Sequence, residues 1–349
     1  MINQILPTLS YGDAIGNDVL ALKKVLSELN EESYIYAENI DSRLSKEAKD
    51  YTKYKDGDVV IFHASIGSNV QEVFTKAKAK KWMVYHNITP YNFFVGYSPL
   101  YTRECRKGIG EIKNLKDVPD LCICDSNFNK QDLIKMGYTC PIEVLPILIK
   151  FEDFEKEPNQ AVIDKYSDGY TNIVFTGRVA PNKKHEDLIA SFYEYKKYIN
   201  PKSRLILVGS YGEEDLYMKH LKKYVEKLGI EDVIFTGHIP FADILAYYRV
   251  ADVFLCLSEH EGFCVPLVEA MYFDVPIIAY DACAVGETLG GSGLLLKEKD
   301  SKTVAEAINL VVSNQELRET ILENQRERLK DFSYNKVKQQ FIEIINKYR

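Results

Sequence analysis

The sequence has no basic excess: 44 Lys and Arg stand against 51 Asp and Glu, a formal net charge of −7 over 349 residues. A general nucleic-acid binder carries a basic balance or stripe, so that class is excluded, and only local basic patches remain. No apolar run approaches the ~20 residues that cross a bilayer. The N-terminus lacks the charged, apolar, small-residue order of an export signal, and the expected location is the cytoplasm. Cysteine is sparse and odd in number, seven in all. Cys122 and Cys124 form only a C-x-C with no second pair at metal-ligand spacing, and Cys122, Cys124 and Cys256 lie in apolar strand-like runs. Buried reduced thiols are therefore expected rather than zinc or disulfides. No G-x-x-x-x-G-K-[ST] occurs, which excludes a Walker phosphate loop. No repeat of solenoid period is present. No D-x-D motif sits in a recognisable site, so no metal is expected in the chemistry.

What is present is alternation. The length exceeds the usual ceiling for one core, which predicts two domains. Strand-like runs near Ile2–Leu6, Tyr34–Ala37, Val59–Phe62, Trp82–Tyr85, Leu121–Cys124 and Ile142–Leu145 alternate with helical patterns. A polar stretch around Phe151–Ser167 reads as a linker. A second series follows near Asn172–Thr176, Arg204–Val208, Val233–Thr236, Val253–Leu257, Pro276–Ala279 and Leu294–Leu296. Such alternation is the mark of βαβ units, and predicts an α/β protein of two Rossmann-like domains with parallel sheets and a cleft between them. A last amphipathic helix is predicted over Tyr334–Tyr348, with Val337, Phe341 and Ile344 or Ile345 on one face.

Several strand ends carry chemistry. After Val253–Leu257, the segment Ser258-Glu-His-Glu-Gly-Phe-Cys-Val-Pro-Leu-Val-Glu-Ala-Met271 reads as strand, tight loop and helix. Glu261 and Glu269 then face the end of a parallel sheet, where open α/β folds bind ligands. Ionised carboxylates accept the hydrogen bonds that a polyhydroxylated ligand donates; the plainer alternative is a pair of solvated helix-end charges. In Phe175-Thr-Gly-Arg-Val-Ala-Pro-Asn-Lys-Lys-His185, Gly177 permits close backbone approach, while Arg178 and Lys183 can reach an anion such as a diphosphate. Val208-Gly-Ser210 and Thr236-Gly-His-Ile239 repeat the strand-then-glycine junction. In the first half, Tyr11-Gly-Asp-Ala-Ile-Gly-Asn17 is either an anion-binding turn or a plain β–α turn with Asn17 as helix cap. His63 and the run Val84-Tyr-His-Asn-Ile-Thr-Pro90 set imidazole, amide and hydroxyl groups at two further strand ends. Asp125-Ser-Asn-Phe-Asn129 reads as a helix-capping loop.

Thr176-Gly-Arg-Val-Ala-Pro-Asn-Lys183, Thr236-Gly, Glu261-Gly-Phe-Cys-Val-Pro-Leu-Val-Glu-Ala-Met271 and Gly286-Glu-Thr-Leu-Gly-Gly together resemble the C-terminal half of retaining glycosyltransferases of family 4 (group 1), which have the GT-B fold. Gly12-Asp-Ala-Ile-Gly-Asn-Asp18 and Tyr85-His-Asn-Ile-Thr-Pro90 resemble a bacterial branch of that family. The resemblance implies an acceptor-side domain over 1–155, joined by the final helix 334–349 crossing back to it, and a nucleotide-sugar donor domain over 165–330. It implies that Arg178 and Lys183 neutralise the diphosphate, that Glu261 holds donor-sugar hydroxyls and that Glu269 holds the ribose. Gly177, Gly237, His238, Ile239, Gly262, Phe263, Cys264 and Val265 would line the donor. His86 would meet the donor sugar near the reacting centre, and the Gly12 and Asp13 turn the phosphates or acceptor. His63, Asn87, Thr89 and Ser126 fall on the acceptor side.

The expected activity is therefore transfer of a sugar from a UDP- or GDP-linked donor to an acceptor hydroxyl, in bacterial polysaccharide or glycoconjugate assembly, with no further cofactor. The expected acceptor is a saccharide or lipid-linked saccharide, and lysine-rich Lys76–Lys81 and Arg103–Lys107 offer a peripheral contact with the inner face of the membrane. A GT-B sugar-nucleotide epimerase and a non-catalytic nucleotide-sugar-binding subunit are the competing readings. Two departures stand out: the family often has Gly at the positions of Asp13 and Cys264. A side chain there is strained if the backbone needs φ > 0.

Overall fold

The structure is a computed structural model and describes residues 1–212 and 214–349. It divides into two compact units, one of residues 1–95, 99–150 and 331–349, the other of residues 96–98 and 151–330.

The first unit holds strands β1 (Ile2–Leu9), β2 (Ile35–Ile40), β3 (Ala48–Asp50), β4 (Val59–Ala64), β5 (Lys80–Tyr85), β6 (Leu121–Cys124) and β7 (Ile142–Val144). They form one parallel sheet in the order β3-β2-β1-β4-β5-β6-β7. The central strands are nearly continuous apolar runs because both faces are covered by helices, so no polar face shows in the sequence. Only β3 has no counterpart in the sequence-based reading. It is a three-residue edge strand, Ala-Lys-Asp, held by pairing to β2 rather than by any apolar pattern.

The final helix, Tyr334–Tyr348, buries Val337, Phe341, Ile344 and Ile345 in the same cluster as Ile2, Val25, Trp82 and Leu148. Both Ile344 and Ile345 face inward, since the i, i+4, i+7, i+8 stripe is wide enough to hold both. The helix Ala14–Glu28 is capped by Asp13, whose carboxylate accepts from the Gly16 N–H at 3.3 Å. Asn17 is therefore a helical position, not the cap. Asp13 itself has φ −89°, so a side chain there carries no strain.

The second unit holds β8 (Thr171–Thr176), β9 (Ser203–Val208), β10 (Val233–Phe235), β11 (Val253–Cys256), β12 (Ile277–Tyr280) and β13 (Leu294–Leu296), again all parallel, in the order β10-β9-β8-β11-β12-β13. Numbered within the unit this is 3-2-1-4-5-6, the doubly wound Rossmann order. The stretch Phe151–Ser167, expected as a linker, is instead the first packed part of this unit. The Phe154 ring lies 5.1 to 6.4 Å from those of Tyr272, Phe273, Phe151 and Phe241. A helix over Gln160–Tyr166 buries Tyr166 beside Val174 and Ile206. Its charges face solvent and conceal widely spaced aromatic anchors, which is why composition alone misassigns it.

Candidate active site

In a doubly wound sheet the connections leave in opposite directions from the two central strands, opening a crevice at their carboxyl ends. In the second unit those strands are β8 and β11, paired through Ile173–Val253 and Val174–Phe254. The turn Pro181–Lys183 follows β8, and the loop carrying Glu261 follows β11. They meet there: the Lys183 Nζ donates to both Glu261 carboxylate oxygens, at 2.6 and 2.7 Å. Two hydrogen bonds fix the pairing, one from the Glu259 backbone N–H to the Asn182 carbonyl (2.9 Å) and one from the Asn182 side-chain Nδ2 to the His260 carbonyl (3.1 Å). The Glu261 side chain is 8 % exposed and that of Lys183 20 %. Burial alone would pull the ammonium down, but the Glu261 carboxylate beside it holds the Lys183 pKa above its ordinary value.

The neighbouring strand ends are joined by backbone. Gly177 N–H donates to Val208 carbonyl and Val179 N–H to Ser210 carbonyl, at 2.9 and 3.0 Å. A Cβ on Gly209 would meet the Gly177 carbonyl oxygen at 1.9 Å, so only glycine allows this approach. Arg178 and His238 are exposed on these junctions. Gly237 has φ +70°, while Ile239 packs inward against the Val174 and Ile206 cluster.

Glu269 stands in the helix Val265–Tyr272 and accepts from the Tyr248 hydroxyl at 2.6 Å. Burial raises its pKa, and the tyrosine bond only partly offsets this. Tyr248 is a site residue that the sequence does not reveal, because it lies in the separate helix Phe241–Arg249 amid other aromatics. Phe263 is buried and its carbonyl accepts from the Thr288 hydroxyl at 2.5 Å, whereas Gly262 and Val265 are half-buried. Cys264 precedes the helix with φ 74° and ψ 65°, the left-handed region, and is 6 % exposed. Of the two departures from glycine, this is the strained one. Glycine relieves about 1 kcal/mol of strain there, against similar losses of unfolded-state entropy and packing. Cys264→Gly should therefore change the unfolding free energy in urea by less than about 1 kcal/mol, whereas Cys256→Ala, in a strand without such relief, should cost more.

The first unit brings a different set together at the carboxyl ends of β4, β5 and β6, beside Gln4 from within β1. His63 and His86 stack with ring centroids 5.2 Å apart, and His63 Nδ1 lies 2.9 Å from His86 Nε2. His63 Nε2 is 3.0 Å from Gln4 Oε1, and His86 Nδ1 is 2.9 Å from Asp125 Oδ2. Proton positions follow from one end. The Gln4 amide nitrogen donates to the Val19 carbonyl, so its oxygen faces His63 and receives the Nε2 proton. His63 Nδ1 is then an acceptor, His86 Nε2 must donate to it, and His86 Nδ1 donates to the Asp125 carboxylate. His86 is thereby an imidazolium. Burial opposes its charge, but Asp125 and then Asp18 raise its pKa; burial and the adjacent His86 push that of His63 well below the ordinary value. Both ring nitrogens of His86 are thus engaged inside the unit, and no ring nitrogen is left to hold a sugar hydroxyl. Gln4, Asp18 and Asp125 are the partners that sequence reasoning did not pair with the histidines. A polar Gln4 inside the buried strand Ile2–Leu9 was the available signal.

Asn87, at φ 68°, bridges Asn129 Oδ1 at 2.8 Å and receives the Ile88 N–H at 2.7 Å, a buried bracket behind β5. Ser126 caps the helix Asn127–Lys135. Thr89 is half-buried, while Gly12 and Asp13 are exposed.

Residues 156–328 match the family model described as glycosyl transferases group 1. Over that stretch the chain belongs to the group 1 glycosyl transferases. A capsular polysaccharide biosynthesis glycosyltransferase, CapM of Staphylococcus aureus, is 29% identical over 192 residues, 52% of this chain and 48% of that protein. This group 1 member spans about half the length of the curated relatives first matched. Among solved structures, sucrose-phosphate synthase from Thermosynechococcus elongatus superposes with TM-score 0.79 at 16% identity, covering 99% of this chain and 98% of that one. Anabaena HepE in complex with UDP-glucose does so with TM-score 0.76 at 19% identity, over 99% and 100%. The two parallel-sheet Rossmann-like units are those of a GT-B fold. No helix among the described residues is long and apolar enough to cross a membrane.

Proposed function

We propose that this group 1 glycosyl transferase is a retaining enzyme of family 4, which moves a sugar from a nucleotide-diphosphate donor to an acceptor hydroxyl in polysaccharide or glycoconjugate assembly. The observation that carries the reading is the Lys183–Glu261 pair at the β8–β11 switch point. A carboxylate there accepts from donor-sugar hydroxyls, and the ammonium beside it lies where negative charge grows on a departing diphosphate. Arg178 adds a second cation, Glu269 serves the ribose, and the glycine junctions at Gly177, Gly209 and Gly237 let backbone approach phosphate and base. Support comes also from the UDP-glucose bound to HepE and from the polysaccharide role of CapM.

In the proposed step the acceptor oxygen bonds to the anomeric carbon as the bond to the diphosphate breaks, on the same face. The acceptor proton passes to the leaving phosphate oxygen, because no carboxylate of the first unit's motifs is an evident nucleophile. His86, with both nitrogens bonded internally, acts as a fixed positive charge near the ends of β4 and β5 rather than as a sugar ligand. The acceptor is proposed to be a saccharide or lipid-linked saccharide, with Lys76–Lys81 and Arg103–Lys107 as the membrane-facing charges.

Calorimetric titration with UDP-, GDP- and dTDP-sugars, followed by product analysis with the tightest donor, tests the reading. Micromolar binding of one sugar nucleotide and an α-linked product from an α-linked donor are expected. An epimerised free sugar nucleotide formed without acceptor would replace this reading with an epimerase, and binding without turnover over a broad acceptor panel with a silent binding subunit.

A further inference from the structure

Cys256 closes β11 and Cys264 precedes the helix Val265–Tyr272; the resemblance sets Cys264 along the donor, but no donor contact is proposed for either thiol group. Both Sγ atoms and a Glu261 carboxylate oxygen lie within 4.8 Å of one another, and all three residues are buried. A tetrahedral Zn2+ with bonds of about 2.0–2.3 Å holds such donors roughly 3.4–3.8 Å apart, so the three close in by at most about 1–1.4 Å on binding. Two thiolates and a carboxylate form a donor set that selects a thiophilic d10 cation over Mg2+ or Ca2+.

Two further observations mark the place. Cys264 keeps a side chain at φ 74°, where glycine would be relaxed, and such strain collects at positions with a task. The charges also balance. With protonated thiols, Glu261 and Lys183 cancel. When a divalent cation enters, the two S–H bonds break, two metal–sulfur bonds form, and two protons leave to water. Two thiolates, one carboxylate, one ammonium and the metal again sum to zero, so no net charge is buried at either stage. The carboxylate has enough lone pairs to keep Lys183 while binding the ion.

We propose that Cys256, Cys264 and Glu261 form a binding site for a thiophilic divalent cation of the Zn2+ class, and that its occupancy withdraws Glu261 from the donor sugar. Only the second clause rests on the proposed function. The site differs from the Asp18, His63 and His86 group, whose facing ring nitrogens already share a proton.

The test is titration of the reduced full chain with Co2+, read by thiolate-to-cobalt charge-transfer absorption, then displacement by Zn2+ against a chromogenic chelator. One equivalent with a thiolate signature is expected. Cys264→Gly and Cys256→Ser should each abolish that band and weaken Zn2+ by roughly 100-fold or more, with far-ultraviolet circular dichroism unchanged. Cys122→Ser removes one of two thiols that lie 3.5 Å apart in the first unit, and should leave the band intact. A band that survives in Cys264→Gly, or vanishes in Cys122→Ser, overturns the site, as does a Cys256–Cys264 disulfide found in place of metal binding. In a parallel titration, saturating Zn2+ should weaken the tightest sugar nucleotide at least tenfold in the native protein and not in Cys256→Ser. A thiolate signature with unchanged donor affinity would leave the metal site standing and remove Glu261 from the donor. If no sugar nucleotide binds at all, the functional reading falls while the cobalt spectrum still decides the site.

Discussion

Lys183→Met is expected to lower the unfolding free energy by about 3–5 kcal/mol and to lower kcat/KM by about 10²–10³. Glu261→Gln should lose a comparable stability, and Lys183→Met/Glu261→Gln should recover most of it. The reasoning begins with burial. The pair has side-chain exposures of 20 % and 8 % and two contacts under 2.8 Å, so removing either partner strands a charge in a low-dielectric crevice. Removing both strands nothing, and the double-mutant cycle should return a large coupling energy. Catalysis should not follow stability. If Lys183 stabilises the departing diphosphate and Glu261 holds the sugar, kcat/KM falls by about 10²–10³ in each single variant and stays low in the double. Urea unfolding and steady-state kinetics on the same four proteins separate the two roles. Recovery of both stability and turnover in the double variant would make the pair a structural strut, and the donor assignment would fail.

How much of this was legible in the sequence depends on how locally each feature is encoded. The parallel sheets were legible because strands buried on both faces are apolar throughout and end in glycine or polar punctuation, as at Val253–Ser258 and Thr171–Gly177. The residue types at the second unit's site were legible for the same reason: a loop after a strand exposes what it carries. What the sequence did not reveal was pairing. Lys183 and Glu261 are 78 residues apart, and only the strand order that sets β8 beside β11 turns two separate polar positions into an ion pair. Tyr248 is hidden likewise, since nothing near it signals Glu269. The histidines of the first unit show the reverse failure. His86 looked like a free hydrogen-bonding group in a polar loop, yet Gln4, His63 and Asp125, from three other segments, fix its protons. The Phe151–Ser167 stretch was misread because composition counts charges but not the spacing of Phe154 and Tyr166, on which its packing depends.

Asp18→Asn should stabilise the protein at alkaline pH and leave it unchanged near pH 4. Asp18 is 4 % exposed and its carboxylate accepts the Leu148 N–H at 2.8 Å, a bond that the asparagine oxygen can also accept. Burial raises its pKa to about 7, against the pull of the neighbouring His86 imidazolium. Since the folded pKa lies above the unfolded one, the folded state holds a proton that the unfolded state has released across the window from about 4 to 7. Stability therefore falls as pH rises through that window, and above it the native state bears a penalty of about 4 kcal/mol. His86 titrates in the same sense. Its folded pKa is raised, so its contribution is fully present below its unfolded value and is lost as pH rises through the folded one. Asparagine removes the first effect and weakens the second, because His86 loses one of the three carboxylates, Asp125, Asp18 and Asp13, that raise its pKa. The gain at pH 8 should accordingly be about 2–4 kcal/mol, shrinking towards zero near pH 4. Urea midpoints of both proteins at several pH values measure it. A loss of stability in Asp18→Asn that does not vary with pH would mean that Asp18 is ionised throughout and serves mainly to hold the His86 proton. The buried group would then be a permanent ion triad of Asp18, His86 and Asp125, and no proton would bind at Asp18 near neutrality.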